Sequence, residues 1–319
     1  MDRPNYLEVY RFIESDMIKA LQLLPETYSN ARIPGETPHK GTAKALLAEI
    51  YLNWAGYPIN DKSKYIKVSQ LAGDVIQHED YYGFGLLDDF ADLWNIKNKH
   101  NKENVFGLFY DMRNTETQNL INKPPSSHDN KPEFKFFNKM PVNYRKKSSY
   151  ITGVTVKVYP LDGSTPYDKY FELDPNINPC GYVQYVKSIK WVENSEMTLY
   201  LLRYAQTLLT FAEARTHSGI LDDSTYEAVN MIRRRANMLD PHLPSAFDIQ
   251  KGLTSNQLCD SIVWERAWEL CAEPNGRWFD IVRLDLKDKL PEYRYDFDIP
   301  YEVPAVFLQN NWYFYELPE

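Results

Sequence analysis

The sequence has 319 residues, 43% of them hydrophobic and 25% charged, a balance that suits a folded globular protein of one large domain or two ordinary ones. The formal net charge of −8 speaks against nucleic acid as a partner, because phosphate recognition needs a basic face. No stretch approaches the roughly 18–20 apolar residues that span a bilayer.

In chain order, Met1-Asp2-Arg3-Pro4 leads directly into an amphipathic pattern rather than a charged and then apolar leader. Leu7, Tyr10, Phe12, Ile13, Met17, Leu21 and Leu24 recur near helical spacing and predict a helix over 5–24, ended by Pro25. Gly41-Thr42 opens a second helix with Ala45, Leu46, Ala48, Leu52 and Ala55 on adjoining faces, closed by Gly56-Tyr57-Pro58. Small residues there let another helix approach closely. A third helix over about 62–77 carries Tyr65, Val68, Leu71, Ala72, Val75 and Ile76, and the pair resembles a tetratricopeptide-type hairpin.

From about 79 to 197 the chain is rich in Asn, Pro, Gly, Ser and Tyr, with short strands expected at Val105–Tyr110 and Val154–Tyr159. The basic cluster from Lys139 to Lys147 reads as a solvated loop. Helices resume at Met197. Leu199 to Ser218 is apolar on most of its circumference, Gly219 is a candidate cap, and Ser224 to Asn237 is its partner. Ser255 to about Leu284 is helical, broken at Pro274-Asn275-Gly276, and the tail from Ile299 has no regular period. The fold class expected is mostly α: tetratricopeptide-like helical hairpins with a long loop-rich insertion carrying short β-strands. One domain over 1–319 is expected, with a helical core over 1–78, the insertion over 79–197 and a helical region with an extended tail over 198–319.

The chemistry-bearing residues are sparse. Cys180, Cys259 and Cys271 have no metal-ligand spacing, and six scattered His form no HExxH motif. No cofactor or metal is expected. Glu265 and Glu269 lie at helical spacing with Arg266, and Arg277, Asp280 and Arg283 follow. Interleaved with Trp264, Trp268, Trp278 and Phe279, they read as a paired network that ties helices together, in preference to a catalytic carboxylate pair. Arg203 and Glu213, on an almost wholly apolar segment, invite the same structural reading.

Several segments resemble the SusD/RagB family. They are Thr42–Leu52, Glu103–Phe106, Leu202–Ala214, Val229–Ala236, Ile262–Leu270 followed by Gly276–Arg283, and finally Ile299–Glu302 with Leu308–Asn311. Departures are Gln206 where the family usually has Glu, Ala267 for a second Arg, Glu273-Pro274-Asn275-Gly276 for Glu-Gly, and Asn311-Trp312 for Pro-Gly. The resemblance implies a non-catalytic lipoprotein of the outer-membrane surface that captures glycan or oligosaccharide nutrients. Its implied partner is a SusC-like TonB-dependent transporter. The family's members begin with a lipoprotein signal, a lipidated Cys and further helices, and the resemblance implies that this portion is missing here. The helix over 42–55 would then leave apolar surface open. A protein-binding scaffold and a glycoside hydrolase are the alternatives.

The aromatic content, 24 Tyr, 15 Phe and 7 Trp, suits either a large protein with amphipathic rings at its surface or a surface that stacks rings on sugars. The stretch 143–191 supplies rings beside amides and guanidinium groups: Asn143, Tyr144, Arg145, Tyr150, Tyr167, Tyr182, Gln184, Tyr185 and Trp191, with Trp94 at the entrance of the insertion. These ten are the expected ligand site.

Overall fold

A computed structural model describes residues 5–28, 35, 37–109, 134–151, 153–158, 167–172, 187–188, 198–271, 273 and 276–286; for the strand segments between 151 and 188 this is the backbone alone. Helix α1 (Tyr6–Leu23) starts at Asn5, whose side chain accepts from Glu8 N while the Glu8 carboxylate accepts from Asn5 N, a reciprocal cap of two otherwise orphaned amides. Helices α2 (Lys40–Trp54) and α3 (Lys64–Gln77) form the first hairpin. Ala43, Ala45 and Ala48 are buried on α2, and their small side chains allow the close approach of its neighbours. On α3, Gly73 serves the same end: a Cβ there would lie 3.0 Å from the Phe211 ring.

After the short helix α4 (Glu79–Tyr82) come two 3-10 turns, Phe90–Trp94 and Ile96–Asn98, and strand β1 (Asn104–Leu108). Helices α5 (Phe134–Lys139) and α6 (Tyr144–Ser149) precede strands β2 (Tyr150–Ile151), β3 (Gly153–Val158), β4 (Tyr167–Glu172) and β5 (Lys187–Ser188). Strand β6 (Leu199–Arg203) returns to pair antiparallel with β1, Leu108 opposite Leu199 and Asn104 opposite Arg203. That ladder closes the excursion by bringing its two ends together. Strand β3 pairs with β4, Val158 opposite Tyr167, and β2 pairs with β5.

The second hairpin is α7 (Tyr204–His217) with α8 (Asp223–Ala236). Gly219 ends α7 at φ +74°, a conformation that costs other residues their Cβ clearance, and Asp222 caps α8 by accepting from Thr225 N. Helix α9 (Ser255–Glu269) begins with a Thr254–Gln257 capping box, and α10 (Arg277–Arg283) follows. Helix α7 is the central element, packed on by α3, α8 and α9. One hydrophobic core runs through α2, α3, α7, α8 and α9 and takes in Val105 of β1.

Three expectations differ from this architecture. Leu199–Arg203 is a strand, not the first turn of α7: an apolar run of this length has no decisive period, and pairing with β1 settles it. The apolar faces of α2 are not open. Leu47, Tyr51 and Trp54 are buried, with α1, α3 and α7 packed around the helix. The segment 139–147 is not a solvated loop either. Arg145 and Lys146 are buried, and the Lys146 ammonium donates to the carbonyls of Phe137 (2.5 Å) and Met140 (3.1 Å) at the end of α5.

Candidate functional site

Five elements converge on a buried lattice of charge. Four carboxylates, Glu103, Glu265, Glu269 and Glu273, face four guanidinium groups, Arg145, Arg203, Arg233 and Arg235. Glu103 accepts from Arg203 at 2.6 Å and from Arg235 at 2.9 Å. Glu269 receives three arginines: Arg145 at 3.0 Å, Arg203 at 2.9 Å and Arg235 at 2.7 Å. Glu265 pairs with Arg145 at 2.7 Å and Arg233 at 3.2 Å. Charges this deep persist only when paired, so the lattice joins β1, β6, α6, α8 and α9 in one arrangement. Both Glu265 and Glu269 are closed off from solvent and engaged by guanidinium groups, the geometry of struts rather than of a catalytic carboxylate pair.

A second lattice joins α2, α7, α9 and α10. Arg283 donates to Glu213 (2.8 Å) and Asp280 (2.6 Å), and Arg266 donates to Asp280 (3.2 Å), Glu49 (3.2 Å) and the Thr210 hydroxyl (3.0 Å). Burial pushes the Glu213 and Asp280 carboxyls upward. The adjacent guanidinium groups outweigh it, and both are held below the ordinary carboxylate range.

Above the first lattice lies a ledge of rings. The Arg235 guanidinium sits 5.0 Å from the Phe90 ring centroid, and Phe90 begins the 3-10 turn that ends in Trp94. Trp94 stands edge-on to Tyr200, centroids 5.8 Å apart at 83°, and edge-on to Phe90 at 6.4 Å. Tyr200 is fixed from below: its hydroxyl donates to Leu93 O (3.0 Å) and accepts from Asn101 Nδ2 (2.9 Å). Tyr144, the first residue of α6, packs against the same cluster, and its hydroxyl donates to Asp89 Oδ1 at 2.6 Å. The same Asp89 oxygen accepts from Ala91 N at 2.8 Å and so caps the 3-10 turn. Burial, with Asp89 adding to it, raises the Tyr144 pKa and keeps the hydroxyl protonated. Asn143 caps α6 through Lys146 N at 3.0 Å. Asn95 is exposed beside Trp94 in the chain.

The structure therefore brings together Trp94 and Tyr144 from the ten expected residues, with Asn143 next to Tyr144 in the chain as the cap of α6. Arg145, 1% exposed, belongs to the lattice, and Tyr150, 4% exposed, packs edge-on to Phe137 at 5.1 Å. Tyr167 starts β4 opposite Val158. Tyr182, Gln184, Tyr185 and Trp191 lie outside the described residues. Asp89 and Tyr200 were not expected in the cluster. An Asp before a short apolar turn is a recognisable cap, but its second bond to Tyr144 spans 55 residues and has no local signal. Among the described residues no group of three or more His, Cys, Asp or Glu is arranged to hold a metal ion, and no helix is long and apolar enough to cross a membrane.

The sequence model of the SusD family matches residues 110–315. Among curated proteins the chain is similar to SusD-like protein P2 of Formosa agariphila, 26% identical over 93% of this chain and 61% of that one. It is also similar to a SusD-like protein of Bacteroides ovatus, 25% identical over 90% of this chain and 53% of that one. The chain thus spans little more than half to three-fifths of these relatives. The fold is that of a SusD homologue from Bacteroides thetaiotaomicron, with a TM-score of 0.72 and 22% identity over 92% of this chain and 63% of that one. A structure solved with a xylogluco-oligosaccharide aligns at a TM-score of 0.63 and 22% identity, over 92% of this chain and 61% of that one.

Proposed function

Since this chain belongs to the SusD family, we propose that it binds oligosaccharides at the outer-membrane surface and passes them to a SusC-like TonB-dependent transporter, with no catalysis of its own. The observation that carries this reading is the ledge: two rings, Trp94 and Tyr144, held on one cluster and flanked by the Asp89 carboxylate and the Asn143 amide. A sugar offers an apolar C–H face that lies against a ring and hydroxyls that need polar partners, and the ledge has both kinds of group. The structure solved with a xylogluco-oligosaccharide supports the ligand class. The occupied, buried carboxylates of Glu265 and Glu269 support binding without hydrolysis. Tyr167, Tyr182, Gln184, Tyr185 and Trp191 remain proposed contributors from the insertion.

The test is calorimetric titration of a panel of plant and bacterial oligosaccharides, xyloglucan fragments included, into the wild type, Trp94→Ala and Tyr144→Ala. Each ring should contribute ~1 kcal/mol, so each variant should bind about fivefold more weakly. A reducing-end assay on the same panel should stay at background. Unchanged affinity in both folded variants would move the site off the ledge, and release of reducing ends would overturn the non-catalytic reading.

A further inference from the structure

Away from the ledge, the end of α7 and the second turn of α9 bring a histidine and a cysteine together. His217 Nε2 lies 3.4 Å from Cys259 Sγ, within hydrogen-bond distance for sulfur. The imidazole lies face to face on the Tyr65 ring, centroids 4.4 Å apart and planes 14° from parallel, so its plane is set by α3. The same Nε2 is 3.8 Å from Glu213 Oε1. Cys259 is half-buried and the His217 side chain is 29% exposed, so both can be reached from solvent. The pair belongs to neither lattice, although Glu213 connects it to the second one.

We propose that Cys259 and His217 form a thiol–base pair at which the protein undergoes exchange with low-molecular-weight disulfides and so becomes reversibly thiolated. In this step His217 Nε2 takes the proton from Cys259 Sγ. The sulfur electron pair attacks one sulfur of the incoming disulfide, and that disulfide bond breaks. The departing thiolate takes the proton from the imidazolium. Cys259 ends oxidised as a mixed disulfide and one half of the reagent leaves reduced as a thiol, so the incoming disulfide is itself the oxidant.

The surroundings suit a base. Burial lowers the His217 pKa, Arg283 of α10 and Lys62 ahead of α3 act in the same direction, and Glu213 of α7 opposes them. The imidazole is thus neutral near pH 7 and able to accept the thiol proton. Once it is protonated, Glu213 is the nearest carboxylate to stabilise it. Cys271 is the internal contrast: it is 4% exposed and faces the Tyr150 hydroxyl. This inference does not rest on the glycan reading.

The experiment treats the full reduced chain with oxidised glutathione from pH 6 to 9 and follows glutathione on each cysteine peptide by mass spectrometry. Wild type is compared with His217→Gln and His217→Asn, and the fold of each is checked by thermal unfolding. Cys259 should be thiolated at least about tenfold faster than Cys271, with a rate–pH midpoint below the ordinary thiol value of about 8.5. In the folded His217 variants the rate at neutral pH should drop about tenfold and the midpoint should move up toward that value. A wild-type Cys259 no faster than Cys271 would overturn the pair, as would one profile shared by wild type and variants. The wild-type midpoint decides the matter even where neither variant folds.

Discussion

Glu103 and Arg235 stand 132 positions apart in the chain and 2.9 Å apart in space. Glu103 leads into β1 and Arg235 closes α8, so the ion pair holds the first edge of the insertion against the second helical hairpin. Arg203 and Glu269 complete the square, each bound to both sides.

Removing one charge from this square should be costly, because the partners stay buried. In Glu269→Gln three guanidinium groups lose a shared anion. The expected loss is about 3–5 kcal/mol of unfolding free energy in urea. Lys19→Ala, which removes the exposed pair with Asp16, should stay within about 0.5 kcal/mol of wild type. Equal effects from the two substitutions would show that the lattice contributes nothing beyond a surface pair.

Acid should weaken the second lattice. The Glu213 and Asp280 carboxyls are held below their ordinary values in the folded chain, so the unfolded state binds more protons over the interval between folded and unfolded pKa values. Their contribution is complete above the unfolded carboxylate pKa, about 4, and is lost as pH falls through the folded values. Unfolding free energy should therefore fall steeply below that point. Asp280→Asn, already less stable at neutral pH, should show a shallower acid limb. An unchanged slope in that variant would remove Asp280 from the titration.

Helices α1, α2, α3, α7, α8 and α9 were legible because their apolar residues repeat at helical spacing and several of their ends carry local signals, Pro25, Gly56-Tyr57-Pro58 and Gly219 among them. The structural role of Glu265, Glu269, Arg203 and Glu213 could also be read, from charges set among Trp and Leu. The partners could not: Arg145 lies in a segment that reads as solvated, and it meets Glu269 across 124 positions. Trp94 and Tyr144 were legible as rings beside polar residues, but their joining through Asp89 depends on the packing of α6 against the 3-10 turn. Burial likewise separates Arg145 and Tyr150 from the ledge, and sequence spacing carries no measure of burial.

Within the ledge the Tyr144 hydroxyl and its ring are separable. Tyr144→Phe keeps the stacking face but removes the 2.6 Å bond to Asp89, leaving Asp89 with its cap on Ala91. If the ring is what a sugar meets, Tyr144→Phe should bind within about twofold of wild type, while Tyr144→Ala loses about fivefold. Equal losses would mean that Tyr144 acts by holding Asp89 rather than by stacking. The comparison is made by calorimetry with whichever oligosaccharide the wild type prefers.

We propose that the chain is a single cooperative unit over 1–319, and a protease cut near residue 195 tests it. Such a cut would place Glu103 on one fragment and Arg203, Arg235 and Glu269 on the other. Each piece would then hold buried charge short of a partner, Glu103 losing Arg203 and Arg235 and Glu269 losing Arg145. It would also divide β1 from β6 and strip α7 from the α2–α3 hairpin, exposing Leu208, Leu209 and Ala212 on one side and Val68, Ala72 and Val75 on the other. Neither piece can bury those faces alone. The nicked chain should therefore elute as one species and unfold in one transition. Fragments that separate without denaturant, each with its own unfolding transition, would show two independent domains and would sink the proposal.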